Sequence, residues 1–178
     1  MTEQEQFLRN AMETYGDTVY RLALCRLQSV PDAEDVYQDV FLRLLGQRDR
    51  DWDDEHLKAW LIRATLNRCA DLHRFRLRRP VLSLDELPDM ARPTDEGAEL
   101  WEAVARLPET LRVTVHLYYA EGYSTEEIAA MTNSSAATVR TRLRRARLKL
   151  KDLLGGNEDE REPLSKADGT NQSVCRAQ

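Results

Sequence analysis

The sequence predicts an all-α protein of two small helical domains joined by a flexible acidic linker, with a helix-turn-helix in the second domain. Three observations lead to this prediction. Apolar residues make up 42% and charged residues 32% of the 178 positions, which is typical of soluble helical proteins. Apolar positions recur at helical spacing on both sides of a central segment. That segment, residues 80–98, holds three prolines and five acidic residues against one basic residue.

The first domain, residues 1–79, is predicted to contain three helices. A first amphipathic helix is indicated by Met12, Tyr15, Val19, Leu22 and Leu27, whose spacing is close to 3.6 residues. Because Pro31 does not fit a helix interior, a second helix is predicted over 32–45 with Asp32 as its N-cap. A polar loop, 46–55, then precedes a third helix from about residue 56 to residue 78.

The second domain, residues 99–154, carries the signals of a helix-turn-helix. The apolar stretch LRVTVHLYYAE stops at Gly122, and Ser124 with Glu127 forms a capping box for the next helix. After the short polar turn TNSS, Ser135 is predicted to cap a last helix by accepting from a backbone N–H two or three residues on. The tail, 155–178, is polar and aperiodic, so we expect it to be disordered.

The last helix concentrates positive charge in a chain whose net charge is −5. Seven Arg and Lys residues fall between Arg140 and Lys151, and no acidic residue occurs from Ile128 to Lys151. Exposed helices usually mix charges of both signs, so this run favours a polyanionic partner over a merely solvated face. The helix is predicted to bury one apolar stripe, formed by Val139, Leu143, Ala146, Leu150, Leu153 and Leu154. Basic edges on both sides of that stripe suit a helix lying in the major groove of DNA.

Other function classes find little support in the sequence. There is no apolar run of the roughly 18 residues needed to span a bilayer and no signal-peptide pattern, so a cytoplasmic protein is expected. The three cysteines are scattered and odd in number, which indicates reduced thiols. No metal-ligand spacing, catalytic arrangement or glycine-rich phosphate loop occurs, so we expect no cofactor, no metal, no small-molecule substrate and no enzymatic activity.

Three segments together resemble a known family. They are DAEDVYQDVFLRLL, LKAWLIRATLNRCADLHRFRLRR and LPETLRVTVHLYYAEGYSTEEIAAMTNSSAATVRTRLRRARLKLKDLL, which cover most of residues 30–154. In order and spacing they resemble the small, two-domain extracytoplasmic-function (ECF) sigma factors of bacterial RNA polymerase. The resemblance implies a protein that binds core polymerase through the β′ clamp and the β flap and directs it to promoter DNA, without catalysing a reaction. It also implies that an anti-sigma factor is a candidate partner.

The resemblance further assigns three sets of residues. For the −35 element of the promoter, the set in the last helix is Ser135, Thr138, Arg140, Thr141, Arg142, Arg144 and Arg145. For the −10 element, the set in the third helix is Arg63, Asn67, Arg68, Arg74 and Arg76, with Asn67 as the main base contact. Arg48, Arg50 and Trp52 of the preceding loop are further candidates for DNA contact. For core polymerase, the set in the second helix is Asp35, Gln38 and Asp39.

One other function remains open on the sequence. EGYSTEEIAAMTNSSAATV also fits the DNA-binding domain of response regulators, which are helix-turn-helix transcriptional regulators. That alternative leaves the two upstream segments unexplained.

Overall fold

The computed structural model describes residues 2–47, 52–78 and 97–155. Predictions for Arg48 and Arg50, for most of the linker and for the tail after residue 155 therefore lie outside the described residues. The helices are α1 (Glu3–Leu27), α2 (Val30–Leu45), α3 (Asp54–Arg78), α4 (Ala98–Ala105), α5 (Glu109–Val115), a π-helical turn (His116–Ala120), α6 (Thr125–Met131) and α7 (Ala136–Leu153). The described ranges contain no strand, and the all-α prediction is confirmed.

The first residues of α1 and α2 differ from the prediction. Helix α1 begins at Glu3, where Thr2 and Glu5 form a capping box, so it starts well before the predicted apolar stripe. Helix α2 begins at Val30, with Ser29 as the N-cap residue and Pro31 in the first turn, where its missing N–H costs nothing. The prediction of Asp32 as N-cap was wrong, since Asp32 lies inside the first turn and is buried.

The core of the first domain lies between α1, α2 and α3. Val19, Val36 and Leu61 are completely buried there, one from each helix. Trp60 packs partly buried against this core, with its ring centroid 5.3 Å from that of Trp52. Trp52 therefore packs on the core while part of its surface stays exposed, and its contact with DNA remains a prediction.

The second domain buries α7 against α5 and α6. Val139, Leu143 and Ala146 are buried as predicted, and Leu150 is partly buried. Leu153 and Leu154 were wrongly placed in the buried stripe, because they are 41% and 36% exposed. All residues from 151 to 155 are exposed, so the end of α7 runs past the core.

The two halves of the chain also share a hydrophobic cluster. Leu22 of α1 and the α3 residues Ile62 and Leu66 pack together with side chains of the second domain: Val113, Leu117, Ile128, Ala129, Val139 and Leu143. We call this contact the seam. The sequence analysis did not predict it, because helical periodicity does not show which distant segment covers an apolar face.

Arg112 joins the halves beside the seam. Its side chain is buried and donates hydrogen bonds to the carbonyl oxygens of Cys25 and Arg26 at the end of α1, the latter at 3.2 Å. It also donates to the carbonyls of Ala105, at 3.3 Å, and Leu107, at 2.6 Å, after α4. Terminal helix carbonyls have no partners within the helix and carry partial negative charge, so this one cation caps the ends of α1 and α4 together.

A second polar group crosses the seam at Glu121. Its carboxylate lies 3.1 Å from Lys58 Nζ of α3, 3.5 Å from His116 Nε2, and 3.4 Å from the hydroxyl of Thr18, which donates to it. The pKa of Glu121 is lowered from its ordinary value because His116 and Lys58 hold the carboxylate, which outweighs the opposing effect of burial.

This lowered pKa makes the folded state sensitive to acid. A carboxyl whose pKa is lower in the folded state than in the unfolded state stabilises the fold at pH values above its unfolded-state pKa. This stabilisation is lost as the pH falls through the folded-state pKa. We expect the difference in unfolding free energy between the native protein and Glu121→Gln to shrink as the pH falls below 4.5, the ordinary value. Urea unfolding from pH 7 to pH 3 measures it, with Glu99→Gln on an exposed position as control. A difference that persists unchanged at pH 3 would contradict the assignment.

Both cysteines of the described ranges are buried, as free thiols. Burial raises the pKa of Cys25 and of Cys69 to about 12. Within the same ranges, no helix combines the length and the apolar character that crossing a membrane requires.

Candidate nucleic-acid interface

The turn that leads into α7 is set by short polar side chains. Helix α6 starts with the predicted capping box, in which the Glu127 N–H donates to the Ser124 hydroxyl at 3.2 Å. After α6, Asn133 adopts a left-handed conformation, φ 50°, which Asn tolerates better than most residues. The Ser135 hydroxyl then accepts from the Thr138 N–H at 3.1 Å. The predicted helix-turn-helix and both of its caps are present.

Helix α7 divides into a buried face and an exposed basic face. Val139, Leu143 and Ala146 point into the core. The predicted −35 residues lie on the remaining surface: Ser135, Thr138, Arg140, Thr141, Arg144 and Arg145 are exposed and Arg142 is half-buried. Burying the apolar stripe therefore directs the basic side chains away from the protein.

Two of these basic side chains have protein partners. Arg140 Nη1 lies 3.3 Å from Glu126 Oε1 on α6, and Arg147 Nε donates to the Tyr119 hydroxyl at 2.9 Å. Hydrogen bonding by Thr125, the backbone and Arg140 lowers the pKa of the exposed Glu126, so this acid stays charged beside the basic face. The Thr141 hydroxyl donates to the Ala137 carbonyl at 3.0 Å.

Ser135 determines where α7 begins. Replacing an N-cap serine by alanine usually lowers stability by about 1 kcal/mol, because an N–H at the helix start loses its acceptor. We expect Ser135→Ala to lower the free energy of unfolding by about that amount, and Ser135→Asn, which retains a capping oxygen, to stay near the native value. Denaturant unfolding measures both. Equal losses in the two variants would show that capping is not the reason.

Three of the five predicted −10 residues form one stripe on α3, and the other two lie off that stripe. At 100° per residue, positions 63, 67 and 74 fall within about 40° of one another on the helix. Arg63, Asn67 and Arg74 are exposed there, and Arg74 lies 3.6 Å from Asp71. Arg68 lies apart from the stripe, next to α2. Arg76 belongs to the last turn of α3, and its side chain lies outside the described residues.

The predicted polymerase-binding residues occupy one face of α2. Positions 35, 38 and 39 are neighbours on a helix surface. Asp35 and Gln38 are exposed. Asp39 is half-buried and accepts from Arg68 Nε at 2.5 Å. One residue assigned to polymerase and one assigned to DNA are thus paired with each other.

Within the described residues, no group of His, Cys, Asp and Glu side chains could hold a metal ion.

Two family models match the chain in this order. Sigma-70 region 2 matches residues 11–79, and Sigma-70 region 4 matches residues 97–150. The ECF RNA polymerase sigma factor SigM of Mycobacterium tuberculosis is 30% identical over 140 residues, which cover 77% of this chain and 71% of SigM. This chain belongs to the ECF group of RNA polymerase sigma factors. The response-regulator alternative is not favoured, because region 2 accounts for the first half of the chain.

Other relatives agree with this sigma-factor assignment. SigE of Mycolicibacterium smegmatis is 33% identical over 157 residues, which cover 82% of this chain but only 61% of SigE. The sigma factor RpoE of Bartonella quintana, solved with the anti-sigma factor NepR, has the same fold with a TM-score of 0.69 at 24% identity, over 84% of this chain and 97% of RpoE. CnrH, solved with the cytosolic domain of CnrY, gives a TM-score of 0.60 at 28% identity, over 86% of this chain and 90% of CnrH.

Sequence reasoning did not find the residues that join the two halves of this sigma factor. Arg26 lies on α1, Lys58 on α3, Arg112 on α5 and Glu121 just after the π-helical turn, and their spacing follows no pattern. A single signal was available for Arg112, the one charged residue within the apolar stretch LRVTVHLYY. Buried charges are rarely tolerated without partners, so this arginine indicated a specific set of acceptors.

Proposed function

We propose that this protein binds core RNA polymerase and directs it to promoters, with α7 reading the −35 element and the exposed stripe of α3 contacting the −10 element. The observation that carries the proposal is the geometry of α7. Three residues of its apolar stripe, Val139, Leu143 and Ala146, are buried. Its N-terminal half presents Arg140, Thr141, Arg144 and Arg145 outward. An exposed helix N-terminus with several arginines fits base edges and phosphates of the major groove.

The division of labour follows the chain. In this proposal residues 1–79 form the region-two domain, 80–98 the linker, 99–154 the region-four domain and 155–178 a tail. Each domain is small, and each DNA element would be bound weakly by one domain alone. Placing both domains on one polymerase raises the effective concentration of each for its own element.

The proposed polymerase contact is the acidic and polar face of α2. Asp35 and Gln38 are exposed and lie one helical turn apart, where they can meet basic side chains of the β′ clamp. Asp39 is engaged by Arg68, so it would contribute to docking through the position of α3 as well. The β flap would bind the second domain.

The protein acts, in this proposal, as a recognition subunit in the cytoplasm and not as an enzyme. RpoE and CnrH were solved with NepR and the cytosolic domain of CnrY, which supports an anti-sigma factor as a further partner here.

Binding to core polymerase tests the proposal. We expect labelled protein to form a complex with bacterial core polymerase and Asp35→Ala/Gln38→Ala to bind at least about tenfold more weakly, as for a docking contact worth more than 1 kcal/mol. The control is Glu99→Ala/Glu102→Ala, two exposed positions on α4. No complex with the native protein, or equal affinity of both double variants, would argue against this docking face.

A further inference from the structure

A tyrosine and an arginine of the second domain form an exposed pair that the proposed function does not use. Tyr119 belongs to the π-helical turn (His116–Ala120) and is 50% exposed, while its neighbour Tyr118 is partly buried against the core. Arg147 of α7 donates from Nε to the Tyr119 hydroxyl at 2.9 Å, and its guanidinium carbon lies 6.0 Å from the centroid of the Tyr119 ring. The guanidinium is therefore held beside the ring at the protein surface.

The partner of Arg147 does not offset its charge, because a phenol hydroxyl is an uncharged acceptor. Within the described residues Arg147 has no carboxylate partner, whereas several other arginines pair with one: Arg21, Arg26, Arg68, Arg74, Arg106 and Arg140. Since Nε is engaged by the hydroxyl, the two Nη groups are the part of the guanidinium that can bind an anion. A fork of this kind matches two oxygens of one phosphate.

Arg147 lies on the same edge of α7 as two arginines of the predicted −35 set. At 100° per residue, positions 140, 144 and 147 fall within about 60° of one another, and position 147 is about 10 Å further along the helix than position 140. All three side chains are exposed. The N-terminal turns of a recognition helix approach the base edges, so a later position on its flank faces the sugar–phosphate backbone.

We propose that Arg147 binds a phosphate of the −35 duplex and that Tyr119 is a positioning residue, which holds the guanidinium for this contact. This inference rests on the proposed function and extends the −35 interface beyond the recognition helix. The hydroxyl restricts a long side chain before binding, so less rotamer freedom is lost when DNA is bound. The contact adds affinity and no base selectivity, because phosphates are the same at every base pair.

The salt dependence of DNA binding tests the phosphate contact. The full chain is titrated by fluorescence anisotropy, at several salt concentrations, with two duplexes of equal length. One duplex carries the −35 element obtained by mapping transcription start sites, and the other has that element scrambled. We expect Arg147→Ala to bind both duplexes about tenfold more weakly, as for the loss of a hydrogen bond to a charged group. The log–log salt slope should fall by about 0.9 for both.

Two matched variants separate this contact from a general loss of charge. Arg9→Ala removes one exposed arginine of α1 and should keep the affinity and the slope of the native protein. Arg147→Lys keeps the charge but not the fork, so it should keep most of the slope and bind with an affinity between those of the native protein and Arg147→Ala.

Tyr119→Phe tests the positioning role, because it keeps the ring and removes the acceptor of the hydrogen bond. We expect affinity for both duplexes to fall several-fold with a salt slope near the native one, since the charge of Arg147 remains. In the Arg147→Ala background, Tyr119→Phe should cause no further loss, because the two residues act on one contact. Urea unfolding of each variant checks that the fold is retained.

The outcomes separate the inference from the proposed function. An unchanged slope in Arg147→Ala, or a loss confined to the duplex that carries the element, would overturn the phosphate contact. Native affinity in Tyr119→Phe, or the same loss with and without Arg147, would overturn the role of Tyr119. A native protein that binds both duplexes equally would instead overturn the proposed reading of the −35 element, while the slope of Arg147→Ala would still decide on the phosphate contact.

Discussion

Replacing Arg140, Arg144 and Arg145 together by alanine is expected to lower the affinity for a duplex carrying the −35 element at least about 100-fold. A side chain that reads a base typically contributes about 1–3 kcal/mol, and each lost phosphate contact also reduces the salt dependence of binding by about 0.9 in the log–log slope. All three arginines are exposed on α7. Replacing them leaves the buried residues of this helix, Val139, Leu143 and Ala146, unchanged. Fluorescence anisotropy against salt concentration measures affinity and slope together.

The control for this experiment removes the same charge elsewhere. Arg9, Arg21 and Arg106 are exposed and lie on α1 or just after α4, outside α7. Their triple alanine variant should lose little affinity and keep the salt slope. If the two triple variants lose affinity equally, the basic face of α7 acts only through net charge and does not read the element.

Arg112→Met is expected to lower the free energy of unfolding by about 3 kcal/mol, because it leaves carbonyl acceptors without their donor and a buried polar group left unsatisfied typically costs about 1–3 kcal/mol. Methionine fills similar space but donates no hydrogen bond, so the carbonyls of Cys25, Arg26, Ala105 and Leu107 lose their shared donor. Exposed carbonyls could form hydrogen bonds with water instead, but these four carbonyls contact the side chain of Arg112, which is buried. Thermal unfolding should shift by roughly 6–12 °C for a chain of this size.

Arg106→Met is the matched control for Arg112→Met. Arg106 is exposed and pairs with Glu102 on its own helix at 2.8 Å. Exposed pairs of this kind contribute about 0.3–0.5 kcal/mol, so this variant should unfold close to the native protein. A similar loss in both variants, or no loss in Arg112→Met, would contradict the role of Arg112 as a shared cap.

The turn and the helix caps of the second domain could be predicted because their signals are local. A capping serine, a glycine stop and an apolar stripe each act within a few residues, and the described caps at Ser124 and Ser135 follow them. The start of α2 was misplaced by the same kind of reasoning, since Asp32 and Ser29 both have capping side chains and Pro31 fits either register. Propensity alone did not decide between them.

The seam could not be predicted because it depends on contacts between distant segments. Leu22, Ile62 and Leu66 look like ordinary core positions in the sequence, and only the folded chain shows that they meet the second domain. The pairing of Asp39 with Arg68 was hidden in the same way, since each residue had been assigned to a different partner. Periodicity gives the buried face of a helix but not the identity of what covers it.

Start-site mapping tests the central claim most directly. Genomic DNA fragments are transcribed in vitro by core polymerase with this protein as the added specificity subunit, and the 5′ ends of the transcripts are sequenced. We expect new start sites that share two sequence elements near −35 and −10, and their loss with the Arg140, Arg144 and Arg145 triple variant. Transcription no different from core polymerase alone, or an unchanged set of start sites with the triple variant, would contradict the account.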